Sequence, residues 1–300
     1  MSAINNHNTH IIGFPFKYLQ PESVEEAVKA LKDNPGAKLM AGGTDLIPKM
    51  KQRLIEPPTI VNLKRIPQLR GITDNTGSIW IGATTKLREI EKSELIKEKI
   101  PLLHSCVKSI GSTQIRNMGT IGGNVCNASP AADGAIGLVA LDSEIQIVGP
   151  EGGKVLAAKD FFTGPGNTVL KENEIVKGFI VKTPPASAGT CFISVGRTAL
   201  DISTISIAVV LDLKKGVVEG VKIALGSVAP KPMRMFKAER WLKGKRISDS
   251  LIREASVMVS EDIKPITDIR GTAEYRIEAS KGMTVEALTM AWKKEGRLEL

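Results

Sequence analysis

Apolar residues near the start of the chain recur at the spacing of a helix. Ser23 and Glu26 form a capping box ahead of four apolar residues with helical spacing, and an Asn-Pro-Gly sequence then ends the pattern. Short apolar runs at 38–41 and 59–63 predict buried strands on either side of an apolar continuation at 46–54. The pattern therefore predicts a first lobe of the β-α-β-β kind.

A second lobe is predicted after this unit. A strand at 78–82 precedes a helical stretch at 87–110, which a proline interrupts, and a glycine-rich passage follows at 111–137. The alternating segment at 144–147 and the run at 174–181 have the pattern of further strands. We therefore expect a second α/β lobe.

A boundary between two domains is predicted at Thr183-Pro184-Pro185 and the small residues after it. The first domain then covers 1–182, with its two lobes divided near 64–77, and the second covers 183–300. The elements predicted beyond the boundary are strands at 191–195, 202–213 and 217–228 and helices at 251–259 and 284–292. This order predicts a separate C-terminal α+β domain.

The composition is that of an ordinary globular protein. Of the 300 residues, 42% are hydrophobic and 24% are charged. The formal charge of +9 suits a nucleic acid, an anionic ligand or acidic partner subunits. Aromatic residues make up only 4% of the chain and its basic residues are scattered, so nucleic-acid binding is disfavoured.

The polar sequence at 1–12 lacks the charged start and apolar core of a signal peptide, and no apolar run reaches membrane-spanning length. We therefore expect a cytoplasmic protein without a membrane span. Cys106, Cys126 and Cys191 are far apart, so neither a disulfide framework nor a zinc site is predicted. An iron-sulfur cluster normally takes four thiolates, so any cluster is expected on another chain.

Two glycines stand directly after the predicted strand at 38–41, in the sequence Gly42-Gly43-Thr44-Asp45. Because glycine has no Cβ, main-chain N–H groups can turn together here toward one anion such as a pyrophosphate, and the Thr44 hydroxyl can add a donor. A helix beginning near Asp45 would direct its positive end to the same place. A tight strand-to-helix turn with Asp45 as its N-cap explains the same residues.

A second glycine-rich segment runs from 119 to 133. It is nearly free of charge and carries three glycines, two asparagines, Thr120 and Ser129 with little apolar periodicity. This composition favours a wall of amides and hydroxyls along a ligand, and a structured surface loop is the alternative. Neither a Rossmann fingerprint nor a Walker phosphate loop occurs, so neither of those nucleotide sites is predicted.

Together the two segments resemble the FAD-binding subunit of the xanthine dehydrogenase and carbon monoxide dehydrogenase family. The first part of the match is Ala41-Gly42-Gly43-Thr44-Asp45-Leu46. The second is Gln114-Ile115-Arg116-Asn117, leading into Gly119-Thr120-Ile121-Gly122-Gly123-Asn124 and Ala128-Ser129-Pro130-Ala131-Ala132-Asp133. Asp268-Ile269-Arg270-Gly271-Thr272-Ala273-Glu274-Tyr275-Arg276 resembles the family's C-terminal signature. The resemblance extends in order from about Phe14 to the end of the chain.

The resemblance implies an α+β fold in which a two-lobed FAD-binding domain of the PCMH/VAO type precedes a C-terminal domain of the carbon monoxide dehydrogenase flavoprotein type. It implies that the first loop holds the FAD pyrophosphate and that Asp133 hydrogen-bonds a polar edge of the cofactor. The residues that it assigns to FAD are Leu39, Met40, Ala41, Gly42, Gly43, Thr44, Asp45, Leu46, Ile110, Gly111, Thr120, Gly123, Asn124, Asn127, Asp133, Ile175 and Val176. It implies no catalytic acid or base and no metal ligand in this chain.

The sequence departs from the family pattern at Ser194. Family members often carry a lysine two residues after the aromatic residue of the strand that opens the C-terminal domain, and here Ser194 follows Phe192 at that spacing. Arg197 and Asp201 still match the pattern. The departure changes the charge expected beside the flavin, and with it the reduction potential and the choice of acceptor.

The resemblance also implies partners. It predicts a complex with a small subunit that carries two 2Fe-2S clusters and a large subunit that carries molybdopterin, assembled as a dimer of heterotrimers. Electrons would pass from the nearer cluster through FAD to NAD, a quinone, ferredoxin or oxygen. Two alternatives are a self-sufficient FAD oxidoreductase of the same fold and a flavin-free scaffold subunit. The two intact glycine loops favour a flavin protein.

Overall fold

The computed structural model of the protein describes residues 12–198 and 200–295. Residues 1–11, which contain most of the polar sequence behind the cytoplasmic expectation, lie outside these ranges. The cytoplasmic location stays a prediction. Within the described ranges, no helix combines the length and the apolar character needed to cross a membrane.

The first lobe is a three-stranded parallel sheet with the strand order β1-β3-β2. Its elements are β1 Lys17–Leu19, α1 Val24–Asp33, β2 Lys38–Met40, α2 Leu46–Lys51 and β3 Thr59–Asn62. At the start of α1 the Ser23 hydroxyl accepts from the Glu26 N–H at 3.1 Å, as predicted. A capping box also requires the Glu26 carboxylate to accept from the Ser23 N–H. It accepts from the Glu22 N–H at 2.9 Å instead, so this part of the prediction is wrong.

The second lobe is a five-stranded antiparallel sheet with the order β4-β5-β10-β6-β7, beside a small hairpin of β8 and β9. The strands are β4 Ile72–Asn75, β5 Ser78–Gly82, β6 Glu144–Gly149, β7 Gly152–Ala157, β8 Phe162–Gly164, β9 Asn167–Thr168 and β10 Ile175–Lys182. The sequence does not predict the edge strands β4 and β7, because most of their residues are exposed. They therefore lack the apolar alternation that marks a half-buried strand.

The helices of this lobe are α3 Leu87–Lys92, α4 Glu94–Lys99, α5 Pro101–Lys108, α6 Thr113–Met118, α7 Ile121–Cys126 and α8 Asp133–Ala140. The stretch predicted at 87–110 is divided twice. Ser93 begins α4 by accepting from the Ile96 N–H at 3.3 Å, and a proline occupies the first turn of α5. The glycine-rich passage also contains helices that the sequence does not predict. In α7, buried Ile121 and Val125 stand four residues apart and suffice to pack one face.

The C-terminal domain is a four-stranded antiparallel sheet with three helices. Its elements are β11 Gly189–Val195, β12 Ile205–Lys214, β13 Val217–Gly226, β14 Met233–Arg234, α9 Phe236–Leu242, α10 Asp249–Asp262 and α11 Ala273–Glu295. Helix α11 begins eleven residues before the predicted 284–292, since polar Arg276 and Ser280 occupy its buried side and hide the apolar pattern. The domain boundary at 182 and the lobe division near 64–77 stay predictions.

Helix α8 joins the second lobe to the C-terminal domain. A Cβ on Gly226 of β13 would collide with the side chain of Ile136, so helix and sheet are in close contact. At the far end of α8, Arg234 donates to the Val139 carbonyl at 3.2 Å and pairs with Asp142 and Glu239. The contact between Gly226 and Ile136 lies toward the other end of α8, where Ser203, from the loop between β11 and β12, donates to Asp133.

Candidate functional site

The first glycine loop presents main-chain donors that the protein does not use. It leaves β2 and enters α2, and Gly43 adopts the left-handed conformation with φ of 80°. In the part of the chain that the structure describes, the N–H groups of Gly43, Thr44 and Asp45 donate to no protein acceptor. Consecutive free N–H groups at a left-handed glycine form a concavity that suits an anion.

The N–H groups of the second segment are largely committed to the protein. The Gly122 N–H donates to the Ala83 carbonyl at 2.9 Å, and the Gly123 N–H donates to the Thr120 hydroxyl at 3.0 Å. The Asn124 N–H donates to the Thr120 carbonyl at 3.0 Å. This segment therefore offers side chains and close backbone approach to a ligand, whereas the first loop offers main-chain donors.

The two segments meet in space. An ideal Cβ at Gly42 would stand 2.5 Å from the Met118 carbonyl oxygen and 2.7 Å from the Gly119 Cα. Farther along, Lys49 donates to the Asn127 side-chain oxygen at 2.9 Å, and the Asn127 amide donates to Asp45 at 3.3 Å. The loops predicted from glycine chemistry are thus in contact and form one candidate site across the two lobes.

An orphaned polar atom marks this site. The side-chain oxygen of Asn124 is buried and has no hydrogen-bond partner among the residues that the structure describes. A Cβ on the neighbouring Gly134 would stand 2.5 Å from that oxygen, so glycine leaves it room. A buried acceptor without a donor is costly, and a ligand N–H or O–H would satisfy it.

Arg116 shapes the part of the site around Ile110 and Gly111. Its guanidinium donates to the carbonyls of these two residues at 3.0 and 2.8 Å, and it pairs with Glu91 at 2.7 Å. Burial raises the pKa of Glu91, but hydrogen bonds from Arg116 and Arg88 outweigh it and hold that pKa below its ordinary value. The sequence shows Arg116 only as part of a motif and gives no sign of this role.

Asp133 lies at the beginning of α8, where both domains contribute partners. The Ser109 hydroxyl donates to it at 2.9 Å, and the Ser203 hydroxyl, from the C-terminal domain, donates at 3.2 Å. Burial raises the pKa of Asp133 to about 6, against the lowering effect of the Ser109, Ser203 and Ser206 hydroxyl groups. Ser203 has no sequence signal, since it stands 70 residues away from Asp133.

A polar cleft of about 420 Å³ opens beside Asp133. Ser109 and Ser203 line it, as does Ser194, the residue at the family's usual lysine position. Arg197 and Asp201, which match the family pattern, form an ion pair at 3.1 Å in its wall. The departure at Ser194 therefore lies in the cleft.

Ile175 and Val176 occupy a different environment from the other residues assigned to FAD. Their side chains are 1% and 4% exposed on β10 and pack in two hydrophobic clusters. Any approach to a cofactor would have to use their main chain. Their assignment, like those of the other predicted site residues, stays a prediction.

The described residues contain no group of three or more histidine, cysteine or acidic side chains placed to hold a metal ion. Cys106 and Cys191 are buried and Cys126 is half-buried, and all three are free thiols. Burial raises the pKa of Cys126 to about 12. A thiol in that state is a poor nucleophile and a poor metal ligand.

Comparison with known proteins gives matches over both domains. A family model described as the FAD binding domain in molybdopterin dehydrogenase matches residues 14–184. Another, described as the CO dehydrogenase flavoprotein C-terminal domain, matches residues 190–291.

Relatives match over nearly their whole length. The chain is 36% identical to the glyceraldehyde dehydrogenase medium chain of Sulfolobus acidocaldarius, over 91% of this chain and 96% of the relative. It is 33% identical to the carbon monoxide dehydrogenase medium chain of Hydrogenophaga pseudoflava, over 93% and 98%. A solved structure of carbon monoxide dehydrogenase from Hydrogenophaga pseudoflava superposes with a TM-score of 0.92, covering 94% of this chain and 99% of that chain at 34% identity.

Proposed function

Because the chain belongs to the family of FAD-binding subunits of molybdopterin dehydrogenases, we propose that it relays electrons from 2Fe-2S clusters on a partner chain, through FAD, to an external acceptor. The predicted family, the two-domain fold and FAD as the cofactor of this chain are confirmed. The direction of electron flow and the partners are the proposal.

The first glycine loop carries the proposal. The N–H groups of Gly43, Thr44 and Asp45 have no acceptor in the described part of the protein, and they stand where the second segment touches the loop. They would hold the FAD pyrophosphate by hydrogen bonds from the main chain. The buried oxygen of Asn124 would accept from the cofactor, which fits its lack of a protein donor.

The cleft beside Asp133 would hold the flavin end. Bound FAD supplies exchange of electrons singly with a cluster and in pairs with an acceptor. The protein's part is placement: Ser109 and Ser203 orient the Asp133 carboxyl, and Arg116 fixes the Ile110 and Gly111 carbonyls. No side chain in this arrangement is assigned a catalytic proton transfer.

The proposed partners are a small subunit with two 2Fe-2S clusters and a large subunit with molybdopterin, in a dimer of heterotrimers. The relatives from Sulfolobus acidocaldarius and Hydrogenophaga pseudoflava carry the name medium chain, which implies companion chains. A 2Fe-2S cluster takes four ligands, usually cysteines. The chain has three cysteines, so the clusters are assigned to another subunit.

Native mass spectrometry with metal analysis of the complex from its own host tests the proposal. We expect molybdenum and about four irons for each FAD, as two 2Fe-2S clusters require. A complex rebuilt with the Gly43→Val chain should keep both metals but lose FAD and electron delivery to the acceptor. A metal-free protein that turns over substrate at its flavin would show the relay to be wrong and favour the self-sufficient oxidoreductase.

A further inference from the structure

The C-terminal signature at 268–276 lies on neither glycine loop, yet it is tightly organised. Asp268 closes a turn, since its carboxylate accepts from the Arg270 N–H at 2.8 Å and its N–H donates to the Gly271 carbonyl at 3.1 Å. Arg276, in the first turns of α11, donates to the same carboxylate at 2.6 Å. The signature is therefore a turn that fixes one arginine.

Arg276 also reaches out of the signature. It is only 3% exposed, and its second terminal nitrogen donates to the Ser227 carbonyl at 3.1 Å. Its Nε is buried and has no acceptor within residues 12–198 and 200–295. A buried donor left unpaired costs stability. The guanidinium is therefore oriented by its bonds to Ser227 and Asp268, at the expense of its Nε.

Ser227 connects Arg276 to the cofactor side of the molecule. Its backbone is in the left-handed region with φ of 62°, a conformation that a serine holds only when its surroundings impose it. Its N–H donates to the Pro130 carbonyl at 2.9 Å, in the second glycine-rich segment. Its hydroxyl donates to the Ser203 carbonyl at 3.1 Å.

Ser203 completes the path. Its hydroxyl donates to both oxygens of Asp133, at 3.2 and 3.3 Å, and it lines the cleft with Ser109. Continuous hydrogen bonds thus run from Arg276 through Ser227 and Ser203 to Asp133. The three links of this path, and the bond from Ser227 to Pro130 beside it, join segments that are far apart in the sequence.

We propose that Arg276 is a positioning residue for the FAD site: by holding Ser227 it fixes Ser203, whose hydroxyl orients the Asp133 carboxyl at the cleft. Arg276 itself does not touch the cofactor. This inference rests on the proposed placement of FAD against Asp133. The alternative is a purely structural role, in which Arg276 only anchors the start of α11.

A double-mutant cycle on the full-length chain separates the two roles. FAD dissociation constants are measured by flavin fluorescence for the wild type, Arg276→Met, Ser203→Ala and the double variant. Each single variant should weaken FAD binding about tenfold, the usual effect of losing a hydrogen bond to a charged group. If Arg276 acts through Ser203, the double variant should also be weakened about tenfold and not about a hundredfold.

Arg234→Met is the matched control. Arg234 is another buried, ion-paired arginine of the same domain, but its partners are Asp142, Glu239 and the far end of α8. We expect it to lower Tm as much as Arg276→Met does while leaving FAD affinity unchanged. If Arg276→Met does not fold, Ser227→Ala removes the next bond in the path and should reproduce the tenfold loss.

A loss of FAD affinity of about a hundredfold in the double variant would show that the two residues act independently and would overturn the positioning role. Wild-type FAD affinity in Arg276→Met would overturn it too. Wild-type affinity in both Ser203→Ala and Asp133→Asn would overturn it as well, and would leave FAD binding by the chain standing. A wild-type chain that binds no FAD would instead refute the proposed function itself. Rescue by Arg276→Lys to within about threefold of wild type would support the positioning role, since the lysine ammonium carries three N–H donors and can still donate to the Ser227 carbonyl.

Discussion

Gly42 lies directly against Met118: a Cβ on the glycine would stand 2.5 Å from the methionine's carbonyl oxygen. This contact joins the loop of the first lobe to the segment of the second, and the proposed FAD site depends on it. The two nearest atoms to such a Cβ, the Met118 carbonyl oxygen and the Gly119 Cα, belong to the backbone and cannot rotate away as a side chain can.

Gly42→Ala should therefore separate the two segments. We expect FAD affinity to fall at least about a hundredfold and stability to fall by about 1–3 kcal/mol, the cost of overpacking. FAD titration and thermal unfolding measure the two effects. Gly164→Ala is the control, because a Cβ there meets no atom of the described residues within 4 Å. Wild-type FAD affinity in Gly42→Ala would contradict the role given to this contact.

Gly43→Val should act differently from Gly42→Ala. A Cβ at Gly43 meets nothing closer than 3.4 Å, but φ of 80° is a conformation that a β-branched residue rarely adopts. The loop should leave the left-handed conformation and lose its cluster of free N–H groups while the fold persists. The expected result is a protein with near-normal circular dichroism and no FAD in its heat-denatured supernatant. Gly164→Val should keep about one FAD per chain.

The sequence predicts elements well where burial alternates in a simple way. Ser78–Gly82 is predicted with its observed bounds because Ile79, Trp80 and Ile81 form a short β-branched and aromatic run next to Gly77, and its burial alternates along the strand. Helix α11 is predicted only in its second half, since Arg276 and Ser280 are buried in the first half. Polar residues on an inward face give no apolar signal, so that half is visible only once their partners are known.

The same limit applies to the site. Glycine spacing predicts both loops, because close backbone approach excludes a Cβ whatever the rest of the fold does. Ser203 reaches Asp133 only through docking of α8 against the C-terminal sheet, and no local pattern encodes that contact. Arg116 is visible as a motif residue, but its two carbonyl partners are not. Local chemistry is thus predicted, and contacts made by tertiary packing are not.

Asp133 should make stability depend on pH in the FAD-free protein. Burial raises its folded-state pKa from 3.8 to about 6, so the folded protein binds this proton more tightly than the unfolded chain does. The resulting stabilisation is fully present below about pH 4 and is lost as pH rises through about 6. Two units of pKa correspond to about 3 kcal/mol.

Asp133→Asn removes the titrating carboxyl. Urea unfolding of both proteins between pH 4 and pH 8 measures how their free energies of unfolding change with pH. The wild type should lose about 3 kcal/mol more than the variant over that interval, after the shared effects of other groups cancel. Parallel pH profiles in the two proteins would show that Asp133 titrates normally. Asp160→Asn, at an exposed position in the same domain, should leave the profile unchanged.

Arg116→Met should cost both stability and FAD affinity. The substitution leaves the Glu91 carboxylate, nearly buried, without its closest partner, and it frees the Ile110 and Gly111 carbonyls. Removing one partner of a buried ion pair lowers the free energy of unfolding by about 3–5 kcal/mol. Arg70→Met is the control, because it breaks a half-exposed pair with Glu89 and should lower the free energy of unfolding by about 1 kcal/mol or less. Changing Glu91 to Met as well should recover part of the stability, because the nearly buried carboxylate is then gone and its other partner, Arg88, is 31% exposed to solvent. FAD affinity should not recover in that double variant, since the two carbonyls still lack their donor, and full recovery of FAD binding would show that Arg116 serves the site only through the ion pair.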